Sequence, residues 1–250
     1  MGLYIETRIR ADLDELWTHT QDPCRHQRWD LRFTRITYLP RGEGEPQRFR
    51  YATRVLPGLT VAGTGVSAGE RERPDGTRTS ALRFSSPHPL SLLAEGSGYW
   101  RYVPDADGVT FLTGYDYRPR WGRAGALADR LLFRPLMGWA TAWSFDRLRL
   151  WLERGITPER ALCNWLAELL ARALIVTAGC TGLGQEGFLH LFGPLAASMA
   201  YVWPLLLAVV VSLALFTSPL PCTPAARRCL RQPPTRVRAP RVLRTLESPR

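Results

Sequence analysis

The 250-residue chain has no lysine: all 33 of its basic Lys+Arg positions are arginine. We read that bias as GC-rich coding rather than as function. Cysteine is sparse as well. Cys24, Cys163, Cys180, Cys222 and Cys229 are odd in number and form no C-x-x-C pair, which argues against a disulfide framework or a zinc site and fits a reducing compartment. His19, His26, His88 and His190 do not cluster at ligand spacings, so no metal and no cofactor is expected. The chain also lacks G-x-S-x-G, H-E-x-x-H, a Walker loop and the Rossmann fingerprint, so no catalytic signature of high specificity is present. The opening MGLYIETRIR has no apolar h-region, and no secretory signal is expected there. Positive charge is unevenly spread. Eight arginines after residue 226, set against Glu247, carry +7 of the formal +11, leaving +4 for residues 1–226. That distribution does not suggest a nucleic-acid-binding domain.

What the chain does have is one stretch that demands cover. Ala124–Gly155, ALADRLLFRPLMGWATAWSFDRLRLWLERG, reads as one long helix or two coaxial pieces meeting at Pro135, because proline removes a backbone donor inside a helix. Leu136, Trp139, Ala140, Trp143, Leu150 and Trp151 recur at three- and four-residue spacing. Met137, Leu148 and Leu152 widen the apolar side until little of the circumference is left wet. Arg149 and Glu153 form an i,i+4 pair on the wet edge. Arg147 projects from the apolar side, one turn from both Trp143 and Trp151. A guanidinium among tryptophans can stack on their faces and pair with a ligand carboxylate or phosphate, or it can be spent on a structural contact.

The residues before it supply the wrapper. Leu3, Ile5, Thr7 and Ile9 alternate as a half-buried strand. Asp12, with Glu15 three residues on, caps a helix through Leu16 and Trp17, and Asp22-Pro23 closes it before a short helix over Arg25–Trp29. About six strands then follow, Phe33–Leu39, Gln47–Leu56, Leu59–Arg71, Arg78–Ser85, Gly96–Val103 and Val109–Arg118, with turn chemistry at Asp75-Gly76 and Asp107-Gly108. Gly63-Thr64-Gly65 inside a strand pattern suggests a bulge or kink. This order predicts an α+β fold: a curved antiparallel sheet wrapped around a long helix. The aromatic inner face would then be Phe49, Tyr51, Phe84, Trp100, Tyr102, Phe111, Tyr115 and Tyr117. With Trp29, Trp139, Trp143 and Arg147, these are the candidates for lining a ligand cavity; a solid core is the competing reading. Trp29-Asp30 places a carboxylate at a pocket mouth or, more plainly, ends a helix with Asp30 capping the next turn.

Asp22-Pro23, the segment His26-Gln27-Arg28-Trp29-Asp30, the element order and the Trp-rich helix resemble the SRPBCC superfamily, the START-like, helix-grip group that includes polyketide cyclase/dehydrase-type proteins. The resemblance covers residues 1–155. It implies a cavity between sheet and helix for apolar or amphipathic small molecules, with no single activity attached. A hydrophobic small-molecule ligand is therefore the expected partner, and a cyclase/dehydrase-type enzyme with pocket acid and base groups is the alternative.

Residues 156–220 are of different composition. Thr157-Pro158-Glu159 opens a helix, Ala173–Leu183 is apolar, and Met199–Phe216 has no charged residue, at the short end of a membrane span. One or two transmembrane helices are expected, with the first domain cytoplasmic on the positive-inside rule. The segment Arg172–Ala178 and the general hydropathy resemble the DoxX-like membrane proteins. Residues 221–250, rich in arginine and proline, read as a disordered tail, or as GC-rich sequence read out of frame.

Overall fold

The computed structural model describes residues 2–181 and 202–233; the end of the apolar stretch Ala173–Leu183, the start of Met199–Phe216, the residues between them and the chain beyond 233 lie outside the described residues. Two compact units are present, Met1–Pro158 together with the chain from Ala225, and Glu159–Pro224.

In the first unit seven strands form one antiparallel sheet: β1 Leu3–Ile9, β2 Arg35–Tyr38, β3 Arg48–Leu56, β4 Leu59–Glu72, β5 Arg78–Ser85, β6 Leu93–Asp105 and β7 Gly108–Pro119. They run in the order β1-β7-β6-β5-β4-β3-β2. The first strand thus closes beside the last, as a curled meander requires. Helices α1 (Leu13–Gln21) and α2 (Pro23–Trp29) bridge β1 and β2. Asp12 caps α1 by accepting from the amides of Asp14 and Glu15, and Asp22 caps α2 through Cys24 and Arg25, the expected use of short acidic side chains at helix starts. The predicted α+β arrangement of a seven-strand sheet with helices is therefore present, consistent with a helix-grip fold.

After β7 the chain forms α3 (Gly122–Ala128), a π-helical turn Asp129–Phe133 and α4 (Arg134–Arg154). Pro135 is in the first turn of α4 and directly follows the π-helical turn, a break in the regular ladder of the kind proline produces. The helix ends at Gly155, whose φ of 64° is left-handed, the usual glycine stop. Every residue from Ala140 to Leu148 is buried. The stripe Thr141, Ser144, Phe145 and Leu148 takes the sheet side: Phe145 stacks on Phe111 at 4.5 Å and meets Trp29 edge-on at 6.2 Å.

A second flank of α4 is covered by a segment whose composition suggested no structure. Ala225 N donates to Asp146 Oδ2 at 2.8 Å, Arg228 reaches the same oxygen at 2.8 Å, and Arg149 Nε holds Oδ1 at 2.7 Å. Cys229 Sγ donates to the Ala142 carbonyl at 3.2 Å. Leu230 and Glu6 exchange both backbone hydrogen bonds at 2.9 Å, so the returning chain pairs with the outer edge of β1. The tail expected from 221 is therefore ordered through its first part. Small Ala225, Ala226 and Cys229 fit against the helix, and the buried Asp146 charge needs Arg228 as a partner; neither condition is visible in composition.

Gly63 and Gly65 correct a second expectation. The β3–β4 register runs unbroken through them, and the irregularities fall at Arg54/Leu56 and, between β4 and β5, at Ser67/Gly69. Phe49 is directly opposite Gly65, Tyr51 opposite Gly63, and Phe84 opposite Gly96. A Cβ on any of these glycines would overlap the facing ring. The glycines are seats on which the rings lie flat along the sheet.

The second unit holds α5 (Pro158–Thr181) and α6 (Val202–Phe216). Pro158–Gly179 is long and apolar enough to cross a membrane, with mean hydropathy 1.4. Arg172 donates to the carbonyls of Ala214 at 2.7 Å and Ser218 at 3.1 Å, while Glu168 accepts from the Leu220 amide. The Glu168/Arg172 pair thus caps the end of α6 instead of standing alone on an apolar helix.

Removing a fully buried carboxylate from between its cations is expected to be costly. Asp146→Ala should destabilise the first unit by about 3 kcal/mol, the lower end for breaking a buried ion pair. Thermal unfolding of the full chain in detergent, followed by the β-sheet circular dichroism signal, checks this. A variant ending at Pro224 should show a loss of the same sign.

Candidate functional site

Across antiparallel strands, directly paired residues share a face. The observed register places Phe111, Tyr115 and Tyr117 of β7 beside Tyr102, Gly98 and Gly96 of β6, and carries the same face on to Phe84, Gly65, Phe49 and Tyr51. The predicted aromatic face is thus one continuous surface, but its two halves differ. Toward β1, Trp29, Trp100, Tyr102 and Phe111 are buried and touch one another or Phe145. Toward β2, Phe49, Tyr51 and Phe84 are only half-buried. The first half is core. The second is an aromatic floor with incomplete cover.

Two buried polar groups are built on this face. At the end of α2, the fully enclosed Asp30 accepts from Arg32 Nε at 2.9 Å and Nη2 at 2.7 Å, from the Arg32 amide at 3.0 Å, and lies 3.1 Å from His26 Nε2. The amide contact is the plain capping turn; the bidentate arginine and the imidazole are additional. Burial raises the Asp30 carboxyl, but the Arg32 charge and the hydrogen bonds from His26 and Arg32 outweigh it and hold the group below the usual carboxylate range. Burial lowers His26 and Asp30 only partly offsets it. The imidazole is therefore neutral near pH 7 and donates from Nε2 to the carboxylate. His26 also stacks on Trp29 at 4.9 Å and meets Trp100 edge-on at 4.9 Å. The Arg32 guanidinium lies 5.6 Å over the Tyr115 ring, and the Tyr115 hydroxyl is 3.0 Å from Thr141 Oγ1.

The second group joins β7 to the π-helical turn. The Tyr117 hydroxyl donates to Asp129 Oδ1, and Arg134 Nε holds Oδ2 at 3.2 Å while its guanidinium lies 5.5 Å over the Tyr117 ring. Burial, then Asp129, pushes the Tyr117 hydroxyl well above its ordinary value, and burial alone takes Tyr51 up to about 12. Both phenols are neutral donors at any physiological pH. Their sites offer hydrogen bonds and fixed charge beside an apolar floor.

Trp139, Trp143 and Arg147 do not belong to this face. At 100° per residue, Trp143 lies about 200° round the helix from Thr141, away from the sheet. Trp139 and Trp143 stack on each other at 6.3 Å. Arg147 donates to the Pro158 carbonyl at 2.8 Å, with its guanidinium 5.3 Å over Trp143. It fastens the turn after α4. The reason is rotational: the residues that meet the sheet are Thr141, Ser144 and Phe145, too small or too ordinary to stand out beside tryptophans. Arg32, His26, Asp129 and Arg134 were not singled out by sequence as site residues. A usable signal existed for one of them, since Asp129 is the lone acid between Asp116 and Asp146.

No protein-family model matches the chain. It is 52% identical over 159 residues to the uncharacterized membrane protein YndG of Bacillus subtilis (strain 168), covering 63% of this chain and 59% of the relative. The match thus spans less than two thirds of that relative's length. Among solved structures, the Zhui aromatase/cyclase from Streptomyces sp. R1128 is 16% identical, covers 62% of this chain and 97% of its own, and superposes with a TM-score of 0.46. The STAR-related lipid transfer protein from Xanthomonas axonopodis is 20% identical over 60% of this chain and 84% of its own, with a TM-score of 0.44. These are START-like and cyclase-type folds. The DoxX-like resemblance of the second unit is not shown by any of them.

The charge states set a pH dependence. His26 has a folded pKa below its ordinary 6.5, so the unfolded chain protonates first and stability is lost as pH falls through 6.5. Asp30 has a folded pKa below its ordinary 3.8, so its contribution is present above that value and lost below it. Both act in the same direction. Thermal midpoints should hold steady above pH 7, begin to fall below about 6.5 and fall more steeply below about 4. His26→Gln should remove the first decline and leave the second.

Proposed function

We propose that the first unit binds an apolar or amphipathic small molecule on the half-buried aromatic floor of β3–β5, within a chain held at a membrane by its apolar helices. The observation that carries this reading is the division of the inner face. Its β6–β7 half is packed against α2 and α4, whereas Phe49, Tyr51 and Phe84 lie flat on glycines and keep part of their surface accessible. Flattened rings leave room above the sheet, and apolar surface with a few convergent polar groups is the ordinary make-up of a small-molecule site. Arg32, Tyr115 and Tyr117 are polar groups on the same face, held in place by Asp30, Thr141 and Asp129. The fold likeness to START-like proteins accords with this but does not name a ligand.

A fluorescent fatty acid whose emission rises in apolar surroundings is a suitable first probe. The full chain should bind it saturably, and Phe49→Glu with Phe84→Glu should weaken binding by at least about tenfold, since each places a charge on apolar contact surface. Unchanged binding in that double variant would remove the floor from the site.

A second reading has its own observation. His26 is a neutral base against a buried carboxylate, the kind of pairing that acid–base catalysis uses, and it supports a cyclase/dehydrase-like activity. Against it, both Asp30 oxygens are already committed to Arg32 and His26. An enzyme of this type should lose turnover of an identified ligand on His26→Gln while retaining its binding; loss of both together would make His26 structural.

The name of the Bacillus subtilis relative and the apolar helix at Pro158–Gly179 support a membrane location. Capping of the α6 end by Arg172 fits a two-helix hairpin with Glu168 and Arg172 at the interface. The first unit and the arginine-rich end would then both lie on the cytoplasmic side. In sealed inside-in vesicles, epitopes at residue 1 and after Arg250 should be equally protected from protease. Opposite protection would leave a single span.

A further inference from the structure

The segment between β7 and α4 carries an apolar surface that the ligand site does not use. Leu131 and Leu132 are each 69% exposed, Leu127 59%, Leu136 53% and Trp121 51%. These are consecutive turns of one helical passage, α3 through the π turn into α4. Scattered exposed leucines are ordinary on protein surfaces, but a contiguous group marks a contact surface. The exposure here is imposed by the fold. Asp129 is buried between Tyr117 and Arg134, and the Gly125 amide bonds the Trp121 carbonyl so closely against Arg120 that a side chain at 125 would overlap its backbone. These ties fix the rotation of the passage with its polar side inward and its leucines outward.

The charge around the leucines has one sign. Arg123 and Arg130 are exposed and make no ion pair among the described residues. In the stretch 117–145 the single acid is Asp129, and it is buried. Arg123, Leu127 and Leu131 follow one another at i,i+4, and Arg130 stands beside Leu131, so the cations border the apolar surface. An outward apolar face edged by arginines has the make-up of a helix that lies in a bilayer interface, and unpaired arginine adds attraction to anionic headgroups. A protein partner would call for acidic side chains in fixed places; a headgroup layer supplies negative charge without fixed geometry.

We propose that the face formed by Trp121, Leu127, Leu131, Leu132 and Leu136, with Arg123 and Arg130, docks the first unit on an anionic lipid bilayer. This rests on the membrane location proposed above, and names the surface by which the folded domain meets that membrane. The leucines enter the headgroup–acyl boundary and the arginines stay at the phosphates. Because Tyr117, Asp129 and Arg134 tie this same passage to the aromatic sheet face, the docked surface and the ligand floor are joined by one rigid element.

Amide hydrogen exchange of the full chain in lipid nanodiscs tests this. Peptides covering 122–136 should exchange up to about thirtyfold more slowly in phosphatidylglycerol discs than in phosphatidylcholine discs, the scale expected for two arginines near a charged surface. Arg123→Glu with Arg130→Glu, and separately Leu131→Asp with Leu132→Asp, should abolish the difference. All four positions are exposed, and unchanged protection of β6 and β7 confirms that the fold survives. Equal exchange in the two lipids, whether fast or slow, overturns the proposal. Release of the chain by alkaline carbonate, with 122–136 still protected selectively in phosphatidylglycerol, would refute the helical anchor and leave the docking face standing.

Discussion

The buried carboxylate of Asp146 ties the returning chain to α4 in the first unit. It sits in the middle of α4 with no exposed surface and takes hydrogen bonds from Arg149 on its own helix, from Arg228, and from the Ala225 amide. Taking such a charge out of water costs several kcal/mol, recovered only when every lone pair finds a partner. Two of those partners arrive from the far end of the chain. The electrostatic requirement of one side chain therefore brings residues 225–230 back onto the helix, where Leu230 also pairs with Glu6 on the open edge of β1.

With α4 fixed on that flank, its sheet-facing stripe decides what the sheet can do. Phe145 fills the space above Phe111 and Trp29, which makes the β6–β7 half of the inner face solid. Farther toward β2 the cover is lighter among the described residues: Phe33 meets Tyr51 edge-on at 5.7 Å and Tyr38 lies 6.4 Å from Phe49, while the rings of Phe49, Tyr51 and Phe84 rest on glycine instead of projecting. The two polar groups both border β7. Asp30, Arg32 and His26 stand at the end of α2, and Asp129 and Arg134 at the start of α4, each tied to a β7 tyrosine or stacked on one. Beside the flat apolar area, the phenols of Tyr115 and Tyr117 and the two arginines are thus engaged within the fold.

Much of this is legible in the residues. Alternation in β1, β3 and β7, Asp12 and Asp22 as caps, Pro135 at a helix start and the Arg149–Glu153 pair at 2.8 Å all follow from local periodicity and chemistry. What local pattern does not supply is rotation about the helix axis over its full length. Spacing puts Trp139 and Trp143 on the apolar side of α4, yet Thr141 and Phe145 are the residues that meet Tyr115 and Phe111 of the sheet. Long-range charge pairing is equally hidden: Asp146 and Arg228 are far apart in sequence, so the order in the returning segment had no local sign. Arg147 illustrates both limits, since its partner is the Pro158 carbonyl, a backbone atom that no side-chain motif announces.

Native mass spectrometry of the full chain, released gently from membrane mimetics, distinguishes an aromatic floor that binds a ligand from an imperfectly packed core. A binding floor gives a one-to-one adduct with an apolar small molecule that is retained at low release energy and absent from the variant with Phe49→Glu and Phe84→Glu. A spectrum showing the bare chain mass alone at every release energy, identical for the native chain and the variant, would contradict it.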